Sequence, residues 1–510
     1  MLSKVKTCVL QGLDGYLVEV ETDVSRGMPS FNIVGLPDTA IREAKERVRT
    51  AIKNSGYEFP LNRITINLAP ANLKKEGSQL DLPIAVGILL AVEIIKNNNL
   101  DNVSFVGELS LDGKINKIDG ALPMVISLKE KGIEKVIIPY DNKEECSVVD
   151  RIDIIPVKHL SELVLYLNDE MIIEPYKRNV NLLLENQEDN YEDFGDVKGQ
   201  QMLKRAMEVA AAGSHNILII GPPGSGKTMI ARRLPSILPK LTFEQALEIT
   251  KIYSIVGLLN EYSLVTKRPF RAPHHTMSNV SLVGGGRIPR PGEVSLAHYG
   301  VLFLDELPEF KKSVLEVLRQ PMEDGHVTIS RVNASLSYPS KFMLVASMNP
   351  CPCGYYGDPT HECTCNQRDI DRYLGKISGP LLDRIDIHIE VSPVKYNELE
   401  NNNLKTESSK EIRYRVDKAH QEQLERYKDE NIYSNSELTP KHMKKYCELD
   451  DEGKMLMKQA FDQLGLSARA YNKVLKVART IADLEGSKNI KSNHLAEAIQ
   501  YRKLDRKYWS

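Results

Sequence analysis

The sequence predicts an α/β protein of several domains, and three observations carry that reading. An apolar run, Asn216-Ile217-Leu218-Ile219-Ile220, passes straight into Gly221-Pro222-Pro223-Gly224-Ser225-Gly226-Lys227-Thr228, and Met229 to Leu234 continues as a helix. A second apolar run, Val301-Leu302-Phe303-Leu304, ends in the adjacent carboxylates Asp305 and Glu306. A third, Phe342 to Ser347, ends at Met348-Asn349-Pro350. Short continuous apolar runs bounded by turn residues read as buried strands of a parallel sheet.

The octapeptide fits G-x-x-x-x-G-K-[ST], a loop that wraps the phosphates of a nucleoside triphosphate. Its glycines let successive backbone N–H groups turn toward the anion. Lys227 is expected to reach the β- and γ-phosphates, and Thr228 to place its hydroxyl on Mg²⁺. Asp305 fits the metal shell and Glu306 the polarisation of an attacking water. ATP and Mg²⁺ are therefore the expected cofactors.

In ATPases with an additional strand between the two motif strands, that strand carries a polar residue at its tip. Asn349 stands where such a sensor would bond the γ-phosphate or the lytic water; a turn-forming Asn before Pro is the alternative. Arg384, in Leu381-Leu382-Asp383-Arg384-Ile385-Asp386, precedes a further strand, Ile387 to Val391. An Arg there can project onto a neighbouring subunit's γ-phosphate. The alternative is an internal pair with Asp383 or Asp386.

With 510 residues the chain is too long for one core, and roughly two to four domains are expected. Glu185 to Asp193 and Asn397 to Lys410 are polar and read as linkers, leaving blocks at 1–182, 193–396 and 411–510. A net charge of −2 gives no global attraction to nucleic acid, so such contact would need a local surface. Leu82 to Ile95, interrupted by Glu93, is too short for a bilayer and reads as a buried helix. No signal-peptide core opens the chain, and the cysteine pattern suits a reducing compartment, so a cytoplasmic location without membrane contact is expected.

Ala468 to Leu484 reads as an amphipathic helix after an N-cap at Ser467, with Tyr471, Val474, Val477, Ala478 and Ile481 on its buried side. Arg469, Lys473 and Lys476 fall on one basic face, which reads as solvated. Cys351-Pro352-Cys353 and Cys363-Thr364-Cys365 place four thiols on two short arms, a set that suits a structural Zn²⁺. Free thiols in a polar loop are the alternative.

The run Val301 to Phe310, the run Leu318 to Gly325, Phe270-Arg271-Ala272-Pro273-His274-His275 and Leu381 to Arg384 resemble the magnesium-chelatase-like AAA+ ATPases. With its N-terminal block, nearly the whole chain resembles the YifB/ComM family. The resemblance implies an N-terminal Lon-protease-like (ribosomal-S5-like) α+β domain, an AAA+ core with a parallel sheet and a C-terminal helical lid. It also implies a hexameric ring acting on branched or single-stranded DNA as a helicase in branch migration, with recombination proteins as partners. Arg469 would be the second phosphate sensor. Met277 to Arg290 is expected as a flexible basic segment facing the ring channel. His326 to Arg331 and Ser335 to Tyr338 are expected as a hairpin, with Arg287, Arg290 and Arg331 as DNA-contact candidates.

Gly113 to Pro123 and Lys135 to Asn142 are similar to the Lon proteolytic domain, whose chemistry is a Ser–Lys dyad. Overlaying the motifs puts Gln79 at the nucleophile position and Leu122 at the base, with Ser78 one residue out of register. Proteolysis is not expected, and Lys74, Lys75 and Arg63 form a candidate basic edge. The alternative function is a chelatase-type motor subunit that remodels a metal-inserting partner.

Overall fold

The protein's computed structural model describes residues 1–96, 100–178, 192–259, 264–286, 289–331, 334–358, 361–393, 406–430 and 432–509. The chain forms two compact units: Met1–Gln187 with Phe243–Thr266, and Glu188–Thr242 with Lys267–Ser510. Blocks read as contiguous are thus interleaved. Segment 243–266 clusters with the first unit, while the ATPase and lid blocks share the second. Most of the two expected linkers lies outside the described residues.

In the first unit a seven-stranded mixed sheet runs in the order Ser30–Val34, Arg63–Ala69, Asp14–Ser25, Leu2–Gln11, Val103–Phe105, Lys135–Pro139, Asp153–Val157. Asp14–Ser25 buries every second residue, Val18, Val20, Thr22 and Val24, as a strand with one covered face should. The expected buried helix is Asp81–Ala91, enclosed on all sides. Apolar all round, it can only sit at the centre of a core. Asp81 is tolerated there because Arg47 grips both carboxylate oxygens, at 2.8 and 3.0 Å.

Helix Phe243–Ile255 belongs to this unit through residues its own sequence does not advertise. It packs on helix Ala121–Glu130. The Ser254 hydroxyl donates to Glu145, 2.5 Å away, and the Ser254 carbonyl accepts from Gly120 N–H at 2.9 Å.

The second unit holds a five-stranded sheet in the order Phe270–Arg271, Val301–Leu304, Met343–Met348, Ile217–Ile220, Ile387–Glu390, all pairs parallel. The expected additional strand, Met343–Met348, lies between the carboxylate strand and the phosphate-loop strand. Helix Gln201–Gly213 packs against Ser409–Tyr427 and Ala468–Leu484, joining sheet and lid in one hydrophobic core.

Ser467 caps Ala468–Leu484 by accepting from Ala470 N–H, as its sequence predicts. The basic face is solvated only at Arg469. Lys473 turns inward and donates to Asp386 at 2.7 Å, and Lys476 donates to the Ser436 carbonyl at 2.8 Å. His215 Nδ1 lies 3.3 Å from the same Asp386 carboxylate, and its Nε2 lies 2.7 Å from the Thr480 hydroxyl. Burial opposes ionisation of Asp386, but Lys473 and His215 prevail and hold its carboxyl far below the usual range. Inward cations thereby bolt the lid helix to the sheet. Among the described residues no helix is long and apolar enough to cross a membrane.

Candidate nucleotide-binding site

Strand Ile217–Ile220 is fully buried, so the loop it delivers starts from a fixed point. Gly224 and Gly226 take φ of 74° and 83°, which side-chain-bearing residues adopt only with strain. Helix Lys227–Arg233 follows. The Lys227 ammonium folds over the loop, 2.8 Å from the carbonyls of Gly221 and Pro222 and 3.2 Å from Asn349 Oδ1. Burial pushes that ammonium's pKa down, against the pull of Asp305 and Glu306. The structure thus brings the phosphate loop and Asn349 together across the two central strands.

Asp305 ends the carboxylate strand facing Thr228, whose hydroxyl donates to Asp305 Oδ2 at 2.7 Å. Ser347, on the additional strand, donates to Asp305 Oδ1. These hard oxygen donors at the loop exit suit a hydrated Mg²⁺ ion. Glu306 is exposed with φ of 53°, its N–H bonded to its neighbour Asp305 Oδ1 at 3.1 Å. The turn directs the two carboxylates differently: Asp305 stays among its donors while Glu306 stands free of them.

Sequence reasoning missed four participants. Ser347 orients Asp305. His275, in the motif after strand Phe270–Arg271, has Nδ1 3.9 Å from Glu306 Oε2. Gln200 Nε2 donates to the Ser225 and Ser392 carbonyls at 3.3 and 2.8 Å, tying the loop to the chain beyond the last strand. Buried Tyr373 lies close enough to the Asn349 backbone for that N–H to pull its hydroxyl pKa down against burial. A polar residue on an otherwise apolar strand was the available signal for Ser347; the others meet the site only through long-range folding.

Arg384 and Arg469 do not join this cluster. Ile387 pairs with Ile217, and the Arg384 carbonyl accepts from Asn216 Nδ2 at 3.0 Å. Arg384 is thus at the start of the strands and the phosphate loop at their end, about 13 Å apart for four residues. Its guanidinium pairs with Glu323, not with Asp383 or Asp386 as the internal alternative had it. Arg469, 63% exposed, lies 3.7 Å from Asp383.

Of the DNA-contact candidates, Arg287 lies outside the described residues. Arg331 ends strand His326–Arg331, which pairs with Ala334–Pro339 in the expected hairpin. Of the segment read as flexible, the described residues form helix Asn279–Val283 and a short ribbon pairing Gly284–Gly285 with Arg290–Pro291. Buried Tyr338 of the hairpin donates to the Pro289 carbonyl at 2.9 Å, so ribbon and hairpin form one feature with Arg290 exposed.

The four cysteines converge. Their sulfurs all lie within 4.8 Å of one another, with Cys351–Cys353 at 3.3, Cys353–Cys363 at 3.6 and Cys351–Cys363 at 3.7 Å. The edge of a tetrahedron with ~2.3 Å bonds is about 3.8 Å, so the set fits a thiolate-bound metal.

At the Lon-like positions Leu122 is buried in the core, Ser78 Oγ is engaged by Glu108, and Gln79 Nε2 by the Glu76 carbonyl at 2.7 Å. The expected basic edge shrinks: Lys75 is buried, donating to the Pro70 carbonyl, and Lys74 pairs with Glu76.

A parallel sheet with an additional strand between phosphate loop and paired carboxylates defines a P-loop ATPase of the AAA+ type. Family models match over three segments: "Magnesium chelatase, subunit ChlI" at residues 193–399, "Subunit ChlI of Mg-chelatase" at 20–142, and "Magnesium chelatase, subunit ChlI C-terminal" at 406–502. The chain is 44% identical to competence protein ComM of Haemophilus influenzae, over 97% of this chain and 96% of that one. It is 42% identical to the uncharacterised protein YifB of Escherichia coli, over 99% and 98%. Lon protease 2 of Bacillus subtilis is 29% identical over 32% of this chain and 31% of its own. The chain belongs to the YifB/ComM family of magnesium-chelatase-like AAA+ proteins. It is accordingly an ATPase that uses a nucleotide with Mg²⁺.

Proposed function

We propose that this chain is a DNA-acting motor whose subunits form a hexameric ring and couple ATP hydrolysis to translocation, strand separation or branch migration. The observation that carries the reading is the division of the arginines from the loop. Asn349, Asp305 and Glu306 gather at the phosphate loop, while Arg384 and Arg469 share the opposite end of the same sheet. A cation is needed where negative charge develops on the transferred phosphoryl group. A neighbouring subunit that brings its Arg384 edge to this loop would supply it, and a closed ring satisfies every loop alike.

ATP with Mg²⁺ supplies the phosphoanhydride bond and the electrophile. Thr228 and Asp305 would hold the ion, Lys227 would leave its carbonyls for phosphate oxygens, Asn349 would position the water, and Glu306 would accept its proton. The four thiolates would hold a structural Zn²⁺. DNA as the track is favoured by the ribbon and hairpin with exposed Arg290, and by a 44%-identical relative that is named a competence protein. Recombination proteins are the matching partners, in the cytoplasm.

Unwinding of forked and four-way DNA by the wild type and by Glu306→Gln tests this. ATP-dependent unwinding lost in the variant is expected. ATPase activity indifferent to DNA, with no unwinding at any salt, would instead favour a motor remodelling a protein partner.

A further inference from the structure

We infer that the cysteine knuckle is a metal-dependent brace of the phosphate loop, with Gly354 as its point of contact. The inference rests on the zinc reading above and adds a task for the metal.

Gly354 follows Cys353 directly, is buried, and has φ of 91°. A Cβ built on it would lie 2.5 Å from Pro223 Cδ and 2.8 Å from Pro223 Cγ. The knuckle backbone therefore lies flat against the third residue of the phosphate loop, with no room for a side chain between. Two positions before Cys351, on the other flank, stands Asn349, which accepts from Lys227. Both arms of the site thus lean on one short segment.

Several hydrogen bonds of that segment centre on its cysteines. Gly354 N–H donates to the Cys351 carbonyl at 3.0 Å to close its turn. Backbone amides donate to two sulfurs, Tyr356 N–H to Cys351 at 3.3 Å and Cys353 N–H to Cys365 at 3.4 Å. Four sulfurs this close have the spacing of ligands around one cation, and a bound metal ties the two arms into a rigid tetrahedron. Without it Gly354 loses its fixed height over Pro223.

On the knuckle's far side the Tyr356 ring meets Tyr508, whose hydroxyl donates to Glu390 at 2.8 Å. Glu390 ends the strand whose next residue, Val391, places its carbonyl 2.6 Å from a Cβ built on Gly221. The loop is walled by the knuckle on one side and by that strand on the other.

The test uses the full-length protein. Elemental analysis is expected to find about one zinc per chain, and Co²⁺ exchange to give thiolate charge-transfer absorption that is absent from Cys363→Ser/Cys365→Ser. Stripping the metal with a chelator should weaken binding of a fluorescent ATP analogue at least about tenfold without changing the circular dichroism, and added zinc should restore it. Gly354→Ala should keep its zinc yet lose nucleotide affinity to a similar extent. Wild-type nucleotide affinity in the stripped protein or in Gly354→Ala overturns the brace and leaves the zinc site standing. Near-zero zinc together with no cobalt band overturns both.

Discussion

Arg469 lies 3.7 Å from Asp383, the residue immediately before Arg384. Asp383 thus ties Arg469, which the resemblance makes the second phosphate sensor, next to Arg384, the candidate finger for a neighbouring subunit, and Arg384 starts the strand whose far end approaches their own chain's loop. If both act on a neighbour, Arg384→Ala should bind ATP normally but hydrolyse it about 10³-fold more slowly. Mixing it with Lys227→Ala, itself inactive, should recover part of the activity, because some interfaces then pair an intact loop with an intact arginine. Steady-state ATPase across mixing ratios reads this directly.

Glu306→Gln should retain ATP and assemble, yet lose hydrolysis by roughly 10²–10⁴-fold, since only the proton acceptor is removed. The left-handed backbone at Glu306 makes Gln a cleaner probe than Val or Ile, which would strain the turn itself. Single-turnover ATPase beside equilibrium nucleotide binding separates the two effects.

Lys473→Met leaves Asp386 buried with His215 as its remaining close side-chain partner. A broken buried pair costs about 3–5 kcal/mol, so a marked fall in melting temperature is expected. Lys476→Met, which removes a hydrogen bond to a backbone carbonyl and a longer-range attraction to Asp386, should cost less.

Burial, and secondarily Arg268, lowers the pKa of His420 to about 4. Unfolded histidine titrates near 6.5. Between those values the unfolded chain binds the proton and the folded chain does not, so stability from this residue is complete above about 6.5 and is lost as pH falls toward 4. His420→Phe should flatten the melting-temperature profile over that window, with a span of at most about 3 kcal/mol.

The parts legible in the sequence were those decided by neighbours along the chain. Buried parallel strands need unbroken apolar runs, so Ile217–Ile220, Val301–Leu304 and Met343–Met348 announce themselves. Gly224, Gly226 and Lys227 are dictated by loop geometry within eight residues. What stayed hidden depends on partners far along the chain. Lys473 looks like a surface lysine until Asp386, 87 positions away, is folded beneath it. Aspartates flank Arg384 along the chain, whereas its partner Glu323 lies 61 residues upstream. Helix Phe243–Ile255 carries ordinary amphipathic spacing, and nothing in that spacing says which unit it will cover.

That helix sets a limit on how the protein can be taken apart. Because Phe243–Thr266 belongs to the first unit, the chain passes between units three times. A fragment beginning at Glu188 would carry a helix whose Ala246, Ile249 and Ile252 had lost their cover, and a fragment ending at Gln187 would lack the same piece. Any usable half-protein therefore has to be rebuilt by splicing rather than by truncation.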